Sequence, residues 1–520
     1  MNGITTGFTI MYTIVATVFF LIVAKYDIHM FQLASYRYSR YFRWLVPGNI
    51  ASGKRAMALL MIVPALVPHY LGVGFAFAVT GFALYEAWKE KFKTPLVYTM
   101  RVKRLFTTDI VLFAIVATLA ILFAGKWATI VIGATLLLSN FILLLANLIN
   151  TPIEKAINRH YYNDAKRIIE SNKGLIIIGV TGSFGKTSTK NYLASVLAEK
   201  YNVLVTPGNF NTLLGVIRTI REHLRPYHQV FIVEMGAKQR NDIKEICDLV
   251  HPTIGIVTAV GEMHLETFKS VENIQDTKFE LINSQPDGGL GVINYDSEYI
   301  KEYKGITSQC RIIKYAVENN GEYKAKDVQY GAGGVSFTLN GSEQYSSRLL
   351  GAGNLLNILA SIAVADHLGV PVNRQKNAIA RLQPVEHRLS MKVANGITVL
   401  DDAYNSNPQG ANMALEVLKN FTVGEGNKRI VITPGFVEMG TRQAEANKEL
   451  GRGIARSCDY AIVVNATNRE AIKAGIDEGG LAAERYFLAD SLDHAHAHLA
   501  QILRAGDVVL YENDLPDNFR

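Results

Sequence analysis

Cysteine is scarce. The 520 residues hold three, Cys247, Cys310 and Cys458, scattered without a CxxC pair or metal-ligand spacing. That argues against a disulfide framework or a structural zinc site and suits a reducing cytoplasm. Charged residues make up only 19% of the chain, and long runs in the first 150 residues almost lack them. The net charge of +7 comes with no RNA- or DNA-binding signature. Much of the basic excess lies in two short loops, so nucleic acid is not an expected partner. No positive residue precedes the first apolar run, Ile4–Ala24, and no small-residue cleavage site follows it, which disfavours a cleaved signal peptide. An ATP-driven transporter would need charges inside the runs and an ABC-type signature; the sequence offers neither.

Hydrophobic sequence is abundant at 49%, most of the excess lying before residue 150. Ile4–Ala24 is long enough to span a bilayer. Ala56–Trp88, broken by Pro64, Pro68 and Gly72, would be about 50 Å long as one helix, too long for a core of about 30 Å. It reads as two short spans turning near Pro68-His-Tyr-Leu-Gly72. Asp109–Ala124 and Ala128–Asn150 form a further pair around Gly125-Lys-Trp127. Loop 25–55 carries Lys25, Arg37, Arg40, Arg43, Lys54 and Arg55; loop 89–107 carries Lys89, Lys91, Lys93, Arg101, Lys103 and Arg104. The opposite turns offer only His69 and Lys126. The positive-inside rule therefore predicts five spans, an outside N-terminus and a multi-pass protein of the cytoplasmic (inner) membrane, with residue 151 onward in the cytoplasm. Tyr36-Arg-Tyr-Ser-Arg-Tyr-Phe-Arg-Trp44 reads as an interfacial anchor, or as a site for a lipid-linked phosphate.

Leu175–Val180 reads as a buried parallel strand and Ser188–Lys200 as a helix, with Thr181-Gly-Ser-Phe-Gly-Lys-Thr187 between them. Strand, glycine loop and helix form the context of a phosphate-binding loop. Thr181, Gly182, Ser183, Gly185 and Ser188 would bring backbone N–H groups and the helix N-terminus to phosphate oxygens. Lys186 would reach the β- and γ-phosphates, and the Thr187 hydroxyl would meet Mg²⁺. Val180 stands where the strict GxxxxGK[ST] pattern has its first glycine.

Gly179-Val-Thr-Gly-Ser-Phe-Gly-Lys-Thr-Ser-Thr-Lys190 resembles the GxTGSxGKTxTK loop of the Mur ligases, the ATP-dependent amino-acid ligases of peptidoglycan precursor synthesis. The resemblance runs from about Gly174 to Gly506 and lies closest to the MurF branch, which adds D-alanyl-D-alanine to a UDP-muramoyl tripeptide. Thr206-Pro-Gly-Asn-Phe-Asn211 resembles the family's asparagine loop. Val233-Glu-Met-Gly-Ala237 and Pro252–Thr258, followed by His264-Leu-Glu-Thr-Phe268, resemble its central metal-site segments. Asp401-Asp-Ala-Tyr-Asn-Ser-Asn-Pro408 resembles its most specific signature.

The resemblance implies ATP and Mg²⁺ as cofactors and a two-step reaction. A carboxylate takes the γ-phosphoryl group to give an acyl phosphate, and an amine then displaces phosphate. Both steps gather negative charge, so cations must be placed beforehand. Lys186, His264 and Lys278 are the implied catalytic residues; Thr187, Glu234, His264 and Lys278 the implied metal ligands. In the family the lysine matching Lys278 is often carbamylated; read alone, Lys278 is equally a helix-surface lysine. Asn354 and Asn357 match adenine-side asparagines, with Gly353 where a histidine is usual, and Asn354 also reads as a helix N-cap. Arg388 and Asp402 match contacts to phosphate and ribose. Asn209, Asn211, Tyr404, Asn405 and Asn407 are the implied substrate contacts.

The expected architecture is a membrane domain over 1–150, a polar linker over 151–173, an ATP-binding domain over 174–390 and a Rossmann-like α/β domain over 391–520. Alternating strands and helices predict doubly wound parallel sheets. The family's soluble nucleotide-sugar domain is replaced by the apolar runs. The expected substrate is therefore a carboxylate-bearing, lipid-linked or polymeric envelope precursor, with an amino acid or other amine as acceptor and the bilayer as a partner. Glu512-Asn-Asp514 stands where the family has Lys-Gly-Ser, which disfavours an acceptor with a free carboxylate.

Overall fold

The computed structural model describes residues 3–46, 54–66, 70–90, 92, 94–263, 265–404 and 406–515. His264, Asn405 and, of the expected turn Pro68–Gly72, residues 68 and 69 lie outside them. The chain divides into two compact units, with the boundary in the sequence between His160 and Tyr161, inside the helix Ser139–Ser171.

The first unit is helical: α1 (Gly3–Leu33), α2 (Tyr38–Leu45), α3 (Lys54–Leu60), α4 (Val63–Leu66), α5 (Tyr70–Lys89), α6 (Met100–Phe123), α7 (Ala128–Leu137) and α8 (Ser139–Ser171). Its core joins Phe19, Phe20, Ala83, Phe113 and Ile132, with Phe20 stacked on Phe113 at 4.2 Å between ring centroids. Gly133 lets Tyr12 approach closely enough for its hydroxyl to donate to the Met61 carbonyl at 2.6 Å. The outward faces are apolar as well: Leu71, Phe77, Leu122 and Phe123 are all exposed.

Three helices among the described residues, α1 from Thr6, α5 from Leu71 and α6, are long and apolar enough to cross a bilayer. The pair α7 and α8, bent by 74° at its break, would make a fourth. The expected span over Ala56–Pro68 is not one continuous helix among the described residues. The Ala56–Pro68 half forms only the seven-residue α3 and the four-residue α4, about 10 and 6 Å long. Pro64 starts the second piece because proline fits a helix's first turn and not its interior. Most of the expected linker, 151–173, is helical. α8 continues through Pro152 to Ser171, carried by helix formers such as Glu154, Lys155, Ala156, Ala165, Lys166 and Arg167.

The second unit contains two sheets. The first has nine strands: β1 (Ile176–Thr181), β2 (Val203–Val205), β3 (Val230–Glu234), β4 (Ile254–Val257), β5 (Leu290–Asn294), β6 (Arg311–Ala316), β7 (Tyr323–Gly331), β8 (Gly334–Leu339) and β9 (Glu343–Ser347). Their order is β2-β3-β1-β4-β5-β6-β7-β8-β9. The six-stranded sheet comprises β10 (Ser390–Ala394), β11 (Ile397–Asp402), β12 (Arg429–Thr433), β13 (Tyr460–Val464), β14 (Tyr486–Ala489) and β15 (Val508–Glu512), in the order β10-β11-β15-β12-β13-β14. Both sheets are mixed rather than wholly parallel. β7, β8 and β9 pair antiparallel, as does β10 with β11.

β1 runs between β3 and β4, so the ends of three parallel strands gather at one edge. Val180 is in register with Glu234 and Thr181 with Val257. This is the edge where open α/β sheets bind ligands. Gly179 is required within β1: a Cβ there would lie 2.5 Å from Leu281 Cδ1, and the helix Val271–Asn283 could not pack so close.

Candidate active site

The loop after β1 leads directly into α9 (Lys186–Leu197). Gly182 and Gly185 take φ of +150° and +80°, conformations open to glycine at little cost. A Cβ on Gly182 would meet the Thr258 hydroxyl and the Ala259 backbone, and one on Gly185 would lie 2.7 Å from Asn357 Oδ1. Gly182→Ala is therefore expected to cost roughly 2 kcal/mol or more of stability, from backbone strain and overlap together, read by chemical denaturation. Thr181 Oγ1 donates to the Met235 carbonyl at 2.8 Å, and Ser183 N–H to the Ala259 carbonyl at 2.8 Å, tying the loop to β3 and β4. Ser183 Oγ bonds the Gly261 carbonyl at 3.1 Å. The loop is held before any ligand arrives.

Lys186 Nζ donates to the Gly182 and Ser183 carbonyls at 2.7 and 3.1 Å. Burial of the amine lowers its pKa to about 8; Glu234 opposes that shift and Arg388 adds to it. Thr187 Oγ1 donates to Glu234 Oε1 at 3.2 Å, and Asn211 Nδ2 donates to the same oxygen at 3.1 Å. Burial pushes the Glu234 carboxyl upward, but Lys190 and Lys186 outweigh it and hold the group below its usual range.

Lys190 is the residue that sequence reasoning missed. It is 1% exposed, ion-paired with Glu234 Oε2 at 3.0 Å, and donates to the Thr206 and Gly208 carbonyls at 2.9 and 2.8 Å. Its spacing of four from Lys186, on the same helix face, was the available signal. Lys190→Ala would strand a buried carboxylate, so a loss of about 3–5 kcal/mol in folding stability is expected on chemical denaturation.

Lys278, on the buried face of the helix Val271–Asn283, is 4% exposed and makes no hydrogen bond among the described residues. Burial, then the charge of Lys186, pulls its pKa down to about 7. The helix-surface reading is excluded by that burial.

A cavity of about 100 Å³ opens beside the loop, lined among others by Gly185, Ser188, Asn354, Asn357, Arg388 and Asp402. Asn357 Oδ1 accepts from Thr189 Oγ1 at 3.0 Å. Asn354 accepts from the Tyr192 hydroxyl at 2.9 Å and donates to the Leu350 carbonyl at 2.9 Å. It sits three residues inside a helix that begins at Gly351, so the N-cap reading is corrected. Arg388 lies 4.2 Å over the Tyr404 ring, and Asn209 Nδ2 donates to the Tyr404 hydroxyl at 3.0 Å. Asn407 caps the helix Pro408–Lys419, accepting from the Gln409 and Gly410 N–H groups at 3.1 and 3.0 Å.

Asp402, in register with Glu512 across β11 and β15, accepts from Leu389 N–H at 3.0 Å. Burial raises its pKa to about 6 against the pull of Arg388. Glu512 is wholly buried and bonded to the Ser406 hydroxyl; burial, then Asp402, pushes its carboxyl well up. A carboxyl with a raised folded pKa binds more protons folded than unfolded, so its contribution to stability falls as pH climbs from the unfolded value towards the folded one. Glu512→Gln is expected to flatten that fall from about pH 4.5 upward, seen as a smaller drop in Tm than the wild type shows.

The Mur ligase middle domain model matches residues 180–365, and the model of the Mur ligase glutamate ligase domain matches residues 387–511. UDP-N-acetylmuramoyl-tripeptide–D-alanyl-D-alanine ligase of Mycobacterium tuberculosis (strain ATCC 25618 / H37Rv) is 33% identical over 359 residues, covering 65% of this chain and 70% of that protein. The Bacillus subtilis (strain 168) enzyme of the same name is 28% identical over 348 residues, covering 65% and 73%. The MurF ligase of Thermotoga maritima in complex with ADP superposes with a TM-score of 0.61 at 26% identity, covering 69% of this chain and 80% of that one. MurF from Acinetobacter baumannii, at 24% identity and a TM-score of 0.62 over 68% and 77%, shares the fold. This chain belongs to the Mur ligase family and is an ATP-dependent, amide-forming ligase that uses Mg²⁺.

Proposed function

We propose that this protein is a membrane-anchored ligase that joins the carboxylate of a cell-envelope precursor to an amine through an acyl phosphate. The observation that carries this reading is the edge where the phosphate loop, Glu234 and Lys278 meet below a cavity reached by Arg388 and Asp402. The Thr187 hydroxyl and the Glu234 carboxylate supply oxygen donors only, the kind Mg²⁺ takes, and fit that ion. A bound Mg²⁺ supplies charge neutralisation at the phosphates. His264 and a carbamylated Lys278 complete the proposed ligand set. Thr181, Gly182, Ser183, Gly185, Lys186 and Ser188 cradle phosphate. Asn354, Asn357, Arg388 and Asp402 hold the nucleoside side, while Asn209, Asn211, Tyr404, Asn405 and Asn407 face the substrates.

Residues 1–150 act as the anchor, 151–173 as the connection, 174–390 as the ATP-binding domain and 391–520 as the closing domain. Support for the anchor comes from exposed Leu71, Phe77, Leu122 and Phe123 on helices of membrane-spanning length. With the α3–α4 segment and α5 together crossing and returning, both basic loops lie on one side, which favours a cytoplasmic catalytic unit. MurF-like relatives are named for a UDP-N-acetylmuramoyl tripeptide; anchoring favours a lipid-linked or polymeric acid here, and the loss of the family's lysine at Glu512 an acceptor without a free carboxylate. The test is ADP and phosphate release by the full-length protein in nanodiscs. Release is expected only when acid and amine are both present, and hydrolysis indifferent to any carboxylate would sink the ligase reading. Equal turnover of a soluble UDP-muramoyl peptide and a lipid-linked one would sink the proposed substrate alone.

A further inference from the structure

Asp109 lies near the middle of α6 and is 1% exposed, and neither of its carboxylate oxygens has a hydrogen-bond partner among the described residues. One turn to either side are buried Leu105 and Phe113, so water does not solvate it. A bare carboxylate in such surroundings costs several kcal/mol. Asp27 of α1 is wholly buried and its charge reaches Asp109. Ser139 Oγ donates to Asp27 Oδ2 at 3.0 Å, and Ser139 is the first residue of α8, at the 74° break from α7. Broken helices in a bilayer leave backbone groups free at the break, where ions are commonly held.

A second feature leads to the same place. One face of α8 carries polar side chains at positions 140, 147, 150 and 154, a spacing of seven, three and four. Asn140 Oδ1 accepts from the Tyr41 hydroxyl at 3.2 Å, and Asn147 Nδ2 donates to the Tyr38 hydroxyl at 2.8 Å. Asn150 Nδ2 donates to Thr108 Oγ1 at 3.0 Å, and Glu154 pairs with Arg104 at 2.7 Å. This row of polar groups connects the break to a partly exposed ion pair, which gives a small ion a route that an apolar core would deny it.

We propose that Asp109, together with Asp27 and the Ser139 break, binds one small monovalent cation, a proton or a sodium-sized ion. The helical unit is then an ion-binding element as well as an anchor. Among the described residues, Asp27 on α1 acts on Asp109, while on neighbouring elements Tyr41 of α2 is bonded to Asn140 of α8 and Arg104 of α6 is held by Glu154. On α1, His29 is turned to the Thr94 carbonyl at 2.8 Å and Lys25 is exposed. The side chains of Lys54 and Arg55 on α3 are outside the described residues.

The experiment uses the full-length protein in membranes, dicyclohexylcarbodiimide, which adds to protonated carboxyls in apolar surroundings, and peptide mass spectrometry. In sodium-free, mildly acidic choline buffer the Asp109 peptide is expected to gain the adduct, with labelling falling roughly tenfold per pH unit once the proton is lost. Suppression by sodium at fixed pH identifies sodium as the occupant; indifference to sodium identifies the proton. An unmodified Asp109 peptide, recovered in good yield from the acidic sodium-free sample, overturns the proposal. Asp109→Asn gives a second reading. The wild type's Tm should respond to acid or sodium and the variant's should not; equal responses also overturn it.

Discussion

Lys186→Ala is expected to lower the rate of ATP-dependent amide formation by about a thousandfold or more, since its ammonium would be the fixed positive charge closest to the transferring phosphoryl group. The fold should be little affected. The side chain is half-buried, and its bonds to the Gly182 and Ser183 carbonyls are the contacts a bound phosphate would displace. Stability within about 1 kcal/mol of the wild type is expected, because no buried partner charge is left alone: Glu234 keeps Lys190. The pKa of about 8 adds a second readout. The amine is depressed, so the charged form is lost as pH climbs through that value, and kcat/KM of the free enzyme should decline there. Coupled assay of ADP release and nucleotide titration check both expectations. A variant with normal stability and more than about a tenth of wild-type activity would mean that Lys186 does not serve phosphate.

The phosphate loop was legible because its signals are local: a β-branched strand, glycines where φ turns positive, and a helix opening at Lys186. The strands Arg429–Thr433 and Tyr460–Val464 carry the same local signal. Lys190 was missed despite its spacing from Lys186, since a lysine inside a helix usually faces water; its burial depends on Glu234, which arrives from a different strand. The antiparallel extension β7–β9 escaped notice because stretches such as Glu343–Ser347 alternate only weakly between apolar and polar residues. Hydropathy marks the end of the apolar face near residue 150 and not the end of the helix, so the helical form of residues 151–171 was not legible. Asp109 was not legible either: a lone aspartate hardly alters a window average, while its burial without a hydrogen-bond partner among the described residues is a three-dimensional fact.

Lys278 carries the second large expectation. Carbon dioxide adds to an amine only when the nitrogen lone pair is free, and an ordinary lysine at neutral pH is almost wholly protonated. Burial moves the pKa of Lys278 to about 7, which leaves roughly half of it neutral at that pH. The amine finds no hydrogen-bond acceptor among the described residues, and Lys186 is the nearby charge disfavouring its ammonium form. Addition of carbon dioxide, with loss of one proton, would turn it into an anion facing that cation and add an oxygen donor beside Thr187 and Glu234. Lys278→Ala is accordingly expected to lower kcat by about a hundred- to a thousandfold, with part of the loss restored by formate or acetate entering the vacated space. Wild-type activity should fall in buffer stripped of carbon dioxide and return on adding bicarbonate, while Lys186→Ala shows no such return. Isotope-labelled carbon dioxide supplies a readout independent of turnover, a carbamate resonance present in the wild type and missing from the alanine variant. Its absence from an active, bicarbonate-saturated wild type would leave Lys278 acting as a neutral amine or an ammonium, and Mg²⁺ would then depend on Thr187, Glu234 and His264 alone.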